Sequence, residues 1–85
     1  MSELAKLPNV GKTLEEQLLR AGISTPEELL QKGSRAAWLL IQAFDPSACY
    51  MRLCALEGAI RGVRWHDLEL GVKAELKEFY NAHKL

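Results

Sequence analysis

Strand signals are almost absent from this 85-residue chain. Val and Ile are scattered, and no segment alternates apolar and polar residues over six positions. That argues against a sheet. Cysteine is scarce as well. The two present, Cys49 and Cys54, are too few for a disulfide scaffold. On one helix they would point about 140° apart, which forbids pairing. No run of 18 apolar residues exists, so no membrane-spanning helix is expected. The opening Met1-Ser2-Glu3-Leu4 lacks the basic start and apolar stretch of a signal peptide, so the cytoplasm is the expected compartment. Net charge is lacking too: 11 Lys and Arg balance 11 Asp and Glu. This excludes a polybasic coat and an acidic tail, so any anion binding must come from a local site.

What remains is the balance of a soluble globular chain, 48 % hydrophobic and 26 % charged. Residues 1–85 read as a single domain. A chain this short buries about 60–65 % of the surface its unfolded form exposes. It builds one core but hardly a core plus a deep substrate pocket. No Ser or Cys has a matching base at a recognisable spacing. The expectation is therefore a protein that is not an enzyme, with no cofactor and no small-molecule substrate.

Helix punctuation is frequent, and no linker, repeat or low-complexity tract interrupts it. The fold class expected is all-α, a compact five-helix domain. Ser2 to Leu7 reads as one short helix capped by Ser2 and ended by Pro8. A helix follows from about Lys12 to Ala21, with Leu14, Leu18 and Ala21 inward. Gly22 suits a left-handed C-terminal position, with Ile23 folding back on Leu18. Thr25-Pro26-Glu27-Glu28 is the clearest start signal, a capping box with Pro at the first helical position. Leu29 and Leu30 are predicted to point inward, and Gly33 ends that helix. Ser34 is predicted to cap a helix reaching Phe44. Asp45 is predicted to cap the next, from about Pro46 to Arg61. Cys49, Leu53, Leu56 and Ile60 line one stripe of it, and Ala48, Met51, Ala55 and Gly58, mostly small residues, line another. Two apolar faces predict a central helix contacted from both sides, with Ala and Gly letting a neighbouring helix approach closely. Trp65, Leu68, Val72, Leu76 and Phe79 recur at helical spacing and predict a last helix from Glu69 or Leu70 to His83.

The stretch that can carry chemistry is Leu7-Pro8-Asn9-Val10-Gly11-Lys12-Thr13, a tight turn feeding a helix N-terminus. The first amides of a helix have no intrahelical partners, and the helix dipole adds to their attraction for an anion. Gly11 has no side chain to block close approach, Lys12 supplies charge and Thr13 a hydroxyl. The candidate nucleic-acid-binding residues are therefore Asn9, Val10, Gly11, Lys12 and Thr13, with a phosphate oxygen as guest. The same turn can equally be a plain joint between packed helices. Residues 1–34 carry four basic against five acidic side chains, and Glu15 and Glu16 oppose a polyanion.

These residues resemble a helix-hairpin-helix motif, which commonly binds nucleic-acid backbone without reading sequence. They also resemble the Pro-Asn-Leu-Gly-Lys turn of the C-terminal domain of the bacterial RNA polymerase alpha subunit, which binds DNA. The commonest hairpin has glycine where this chain has Asn9. Asn adopts the left-handed conformation the turn needs, but its side chain can obstruct close backbone approach. A longer resemblance runs along most of the chain. Leu7-Pro8-Asn9-Val10-Gly11, Gly22-Ile23-Ser24-Thr25, Glu28-Leu29 and Gly33 appear in the order found in the C-terminal domain of the TfoX/Sxy competence regulators. Leu56-Glu57-Gly58-Ala59-Ile60, Trp65, Leu68, Lys73 and Leu76 continue it. The resemblance implies a helical domain of helix-hairpin-helix or SAM-like type in a bacterial protein linked to regulation of transcription or competence.

Outside the hairpin, residues 35–64 are the only positive third, with Arg35, Arg52, Arg61 and Arg64 against Asp45 and Glu57. Arg61 and Arg64 suit a helix C-terminus, where cations complement the dipole, and Glu57 pairs with Arg61 at i,i+4. Trp38 lies at the border of its helix's apolar arc beside Arg35 and Gln42. Trp38 and Arg35 are thus candidates for protein interaction, with a Trp sealing the edge of the core as the plainer reading. Cys49, Cys54, His66 and His83 match no usual zinc spacing, and no metal site is expected. Two functional classes stay open. One is a regulatory module whose hairpin touches DNA phosphates. The other is a protein-interaction or dimerisation module with no nucleic-acid binding.

Overall fold

The computed structural model describes residues 3–85, and Ser2 as a cap lies outside them. The order is a 3-10 turn over Glu3–Lys6, α1 Lys12–Arg20, α2 Pro26–Lys32 and α3 Ser34–Gln42. α4 Tyr50–Arg61, a second 3-10 turn over Trp65–Asp67 and α5 Leu70–His83 complete it. The fold is all-α, as expected. Among the described residues no helix is long and apolar enough to cross a membrane. The Cα radius of gyration is 11.6 Å, against about 12 Å for one compact domain of this length.

Punctuation explains most boundaries. The Ile23 amide donates to the Leu18 carbonyl (2.8 Å) and the Gly22 amide to Leu19 (3.1 Å), with Gly22 at φ 89°. This is the double-bonded ending that a left-handed glycine allows, and it buries Ile23 against the core. Thr25 caps α2, accepting from the Glu28 amide at 3.1 Å. The returning Glu28 carboxylate accepts from the Ser24 amide (3.0 Å) and hydroxyl (2.6 Å), one residue earlier than in the standard box.

Four expectations are corrected. The opening segment is a 3-10 turn of four residues, not a helix to Leu7. Leu30 stands 63 % exposed, because only Leu29 of the pair faces the core on so short a helix. Ser34 is inside α3 rather than its cap. It is buried, and its hydroxyl donates to Glu57 at 2.5 Å. Asp45 does not start the fifth helix. Its carboxylate takes the Ser47 amide (3.0 Å) and hydroxyl (2.5 Å), closing a separate turn. α4 then begins four residues later, with Cys49 as its cap residue. Cys49 is exposed off the helix and Cys54 buried on it, and both are free.

α4 is central, as its two apolar faces predict, packing on α2, α3, α5 and the second 3-10 turn. Its small-residue stripe is required at Gly58. A Cβ there would lie 2.6 Å from Asn9 Nδ2 and 2.7 Å from the Val63 carbonyl oxygen. On the other side, α5 docks through rings. Trp38 meets Phe79 and Tyr80 edge-on, with centroids 6.1 and 5.8 Å away, and Tyr50 lies 6.1 Å from Tyr80.

Candidate nucleic-acid interface

The hairpin is built by short-range bonds and pinned by long-range ones. The Leu7 amide donates to Leu4 (3.0 Å) and the Val10 amide to Leu7 (3.3 Å). Asn9 takes the left-handed conformation, φ 67°, which Asn tolerates better than most residues. Its side chain then turns away from solvent. Nδ2 donates to the carbonyls of Val63 (2.9 Å) and Ala55 (3.4 Å), and Oδ1 accepts from the Trp65 amide (3.0 Å). Its amide group thus staples the hairpin to α4 and the loop that follows it, and Asn9 remains part of the lining of the groove there. Val10 is buried and its amide is already bonded, so it offers no surface group.

Gly11, Lys12 and Thr13 are exposed. The first intrahelical bond of α1 runs from the Glu15 amide to Gly11 (2.9 Å). The amides of Lys12, Thr13 and Leu14 precede it and form the positive end of the helix. A Cβ added at Gly11 would meet nothing within 4 Å, and its φ of −90° suits any residue. Gly11 thus serves access rather than packing.

The staple has a consequence that sequence order hides. It brings Arg64, Trp65 and His66 alongside Gly11, Lys12 and Thr13. Together with Met51 and Arg52 on α4 they line an open groove, and no Asp or Glu lines it. Glu15 is buried and Glu16 faces a different hollow with Arg20 and Phe44, so neither lines this groove. Lys12 and Arg64 carry no ion pair among the described residues. Arg52 is bound to Asp45 at 2.8 Å. The Asp45 carboxyl is held well below the usual range, first by the Ser47 hydroxyl and amide and then by Arg52. Arg52 is therefore a largely neutralised member of the rim. Arg64 and His66 are the residues sequence reading missed. In the sequence Arg64 reads as a cation complementing a helix end, and His66 only as one of four residues with no zinc spacing. The positive balance of residues 35–64 was the available signal.

The other predicted site residues separate. Trp38 is fully buried, and its Nε1 donates to the Cys49 carbonyl at 3.1 Å. A partner cannot touch it in this fold. The correction has a simple cause: α5 covers the border of α3 on which Trp38 sits. Arg35 is exposed, 3.8 Å from Glu75 and with its guanidinium 5.8 Å from the Phe79 ring. Burial alone would raise the Glu57 carboxyl, but the Ser34 hydroxyl and Arg61 bring it below its ordinary value. Burial pushes the Cys54 thiol up, the opposite of an activated nucleophile. Among the described residues no three His, Cys, Asp or Glu side chains are grouped to hold a metal.

Known proteins with this fold lie close in sequence. A crystal structure of an uncharacterized protein from Listeria monocytogenes, in a triclinic form, is 51 % identical, with a TM-score of 0.92 over 93 % of this chain and 90 % of that one. A tetragonal-form structure of a protein of unknown function from the same organism is 50 % identical, with a TM-score of 0.92 over 94 % and 98 %. No curated protein matches. The family model described as the TfoX C-terminal domain matches residues 1–80.

Proposed function

This chain belongs to the TfoX C-terminal domain family, and from that premise we propose that it is a competence- or transcription-linked regulatory domain that binds the phosphate backbone of DNA. The observation that carries the reading is the carboxylate-free groove that Lys12 and Arg64 line together with the N-terminal residues of α1. Those amides donate to phosphate oxygens, and the two cations balance the charge. Phosphate contacts of this kind position a protein without specifying sequence. Two neutralised phosphates give a log–log salt slope of about −2, so affinity is weak and falls with salt, less steeply than for a protein with many phosphate contacts.

Fluorescence anisotropy with a labelled random duplex at low and moderate salt tests this, with wild type and Lys12→Glu side by side. Saturable binding that weakens with salt and falls in the variant is expected. Equal binding by the variant would remove the groove as the site. Absence of binding at low salt would leave the hairpin as architecture.

The alternative of protein interaction or dimerisation rests on a different face. Leu30 is 63 % exposed beside a hollow lined by Leu7, Pro26, Leu29 and Ile60. It predicts a complex or dimer indifferent to Lys12→Glu and weakened by Leu30→Glu, read by light scattering after gel filtration.

A further inference from the structure

Phosphate chemistry accounts for the rim of the groove but not for its floor. Met51 projects from the first turn of α4 and is 54 % exposed. Ala55 lies one turn further along the same face. The nearly buried Leu14 and the half-buried Trp65 add apolar surface to the same groove that Lys12 and Arg64 line. A duplex presents sugar and phosphate outward and keeps its base faces stacked inside. It would engage the cations and leave this floor unused. A single strand carries both chemistries on one chain, a charged backbone and unstacked base faces that gain by leaving water.

We infer that the groove takes single-stranded nucleic acid in preference to duplex, with a base laid on the Met51 floor and the adjoining phosphate between Lys12, Arg64 and the α1 amides. The inference rests on the phosphate-binding reading above and adds the form of the nucleic acid. Met51 suits the role because its unbranched, polarisable thioether adapts to any flat face, which makes base contact tolerant of sequence. An acidic peptide would satisfy Lys12 and Arg64. A tetrahedral phosphate additionally presents several acceptors to the three N-terminal amides of α1, which favours nucleic acid.

The test uses a short mixed-sequence strand and the duplex made from it, labelled alike and titrated at the same low salt. Wild type, Met51→Ala and Lys12→Glu are compared. Met51 packs little in the fold, so Met51→Ala should keep the wild-type melting temperature. The strand should bind about tenfold more tightly than the duplex, and Met51→Ala should cost most of that preference while barely changing duplex affinity. Lys12→Glu should weaken both. Equal or tighter duplex binding, or strand affinity indifferent to Met51→Ala, would overturn the single-strand inference and leave the phosphate reading standing. Binding of neither form would overturn both and leave the hairpin as architecture.

Discussion

Segments far apart in sequence are joined at two places, and the joints use opposite chemistry. Around Trp38 the joint is aromatic. A fully buried indole meets Phe79 and Tyr80 edge-on, with one hydrogen bond to the Cys49 carbonyl. Around Asn9 the joint is polar. One amide side chain bonds three backbone groups 46 to 56 residues away, over a glycine that leaves room for it. The aromatic joint buries Trp38 completely and leaves none of that side chain for a partner. The polar joint fixes the register of two loops and leaves a cationic groove open beside them. Burial secures a fold well. Directional bonds to backbone hold two distant surface segments in one geometry, which a binding site requires.

Breaking the aromatic joint should have the largest effect. Trp38→Ala is expected to cost about 3–5 kcal/mol, a large share of what a domain of this kind has. Thermal melting measures it, and an unchanged melting temperature would contradict the burial described. At the polar joint, Gly58→Ala should cost about 1–3 kcal/mol, because the new Cβ meets a backbone carbonyl that cannot easily yield. Asn9→Gly keeps the left-handed turn but removes the staple, and should cost about 1–3 kcal/mol. Hydrogen exchange should then show the Trp65 amide losing protection. The two changes together should cost less than their sum, since part of the Gly58→Ala clash is with the Asn9 side chain itself.

Alkali should distinguish the joints by a smaller effect. Burial, then the neighbouring Cys54, pushes the Tyr50 hydroxyl up to about 12. Its folded pKa lies above the unfolded value of about 10, so the fold favours the protonated form. The associated stability is fully present below about pH 10 and is lost as pH rises towards 12. Cys54 is raised also, with the same sign. Tyr50 packs on Tyr80 at the aromatic joint, whereas Asn9 does not titrate. Tyr50→Phe should therefore flatten the alkaline limb of a stability profile, and Asn9→Gly should leave its shape unchanged.

Legibility in the sequence follows the range of the forces involved. The Thr25-Pro26 start, the Gly22-Ile23 ending and the span of α5 are set by residues a few positions apart, and the structure has them where local rules place them. A close approach at Gly58 was legible from its stripe of small residues, but what approaches is the Asn9 side chain and the Val63 carbonyl rather than a helix. The start of α4 was not, because Asp45 bonds Ser47, Arg52 and Gln17 at once, and that competition is not visible from its neighbour Pro46. Trp38 depends on α5, which covers it from 41 residues away. The hairpin was recognisable as an anion-facing turn, but Arg64 and His66 join it only through the side-chain bonds of Asn9.

The central claim is that the hairpin and the Arg64 loop form one surface. It is tested most directly by titrating the ¹⁵N-labelled protein with a short oligonucleotide and following its amide resonances. The account predicts that the amides of Gly11, Lys12 and Thr13 and those of Arg64, Trp65 and His66 shift together along one binding curve. Shifts confined to one segment, or centred on the Leu30 face, would contradict it.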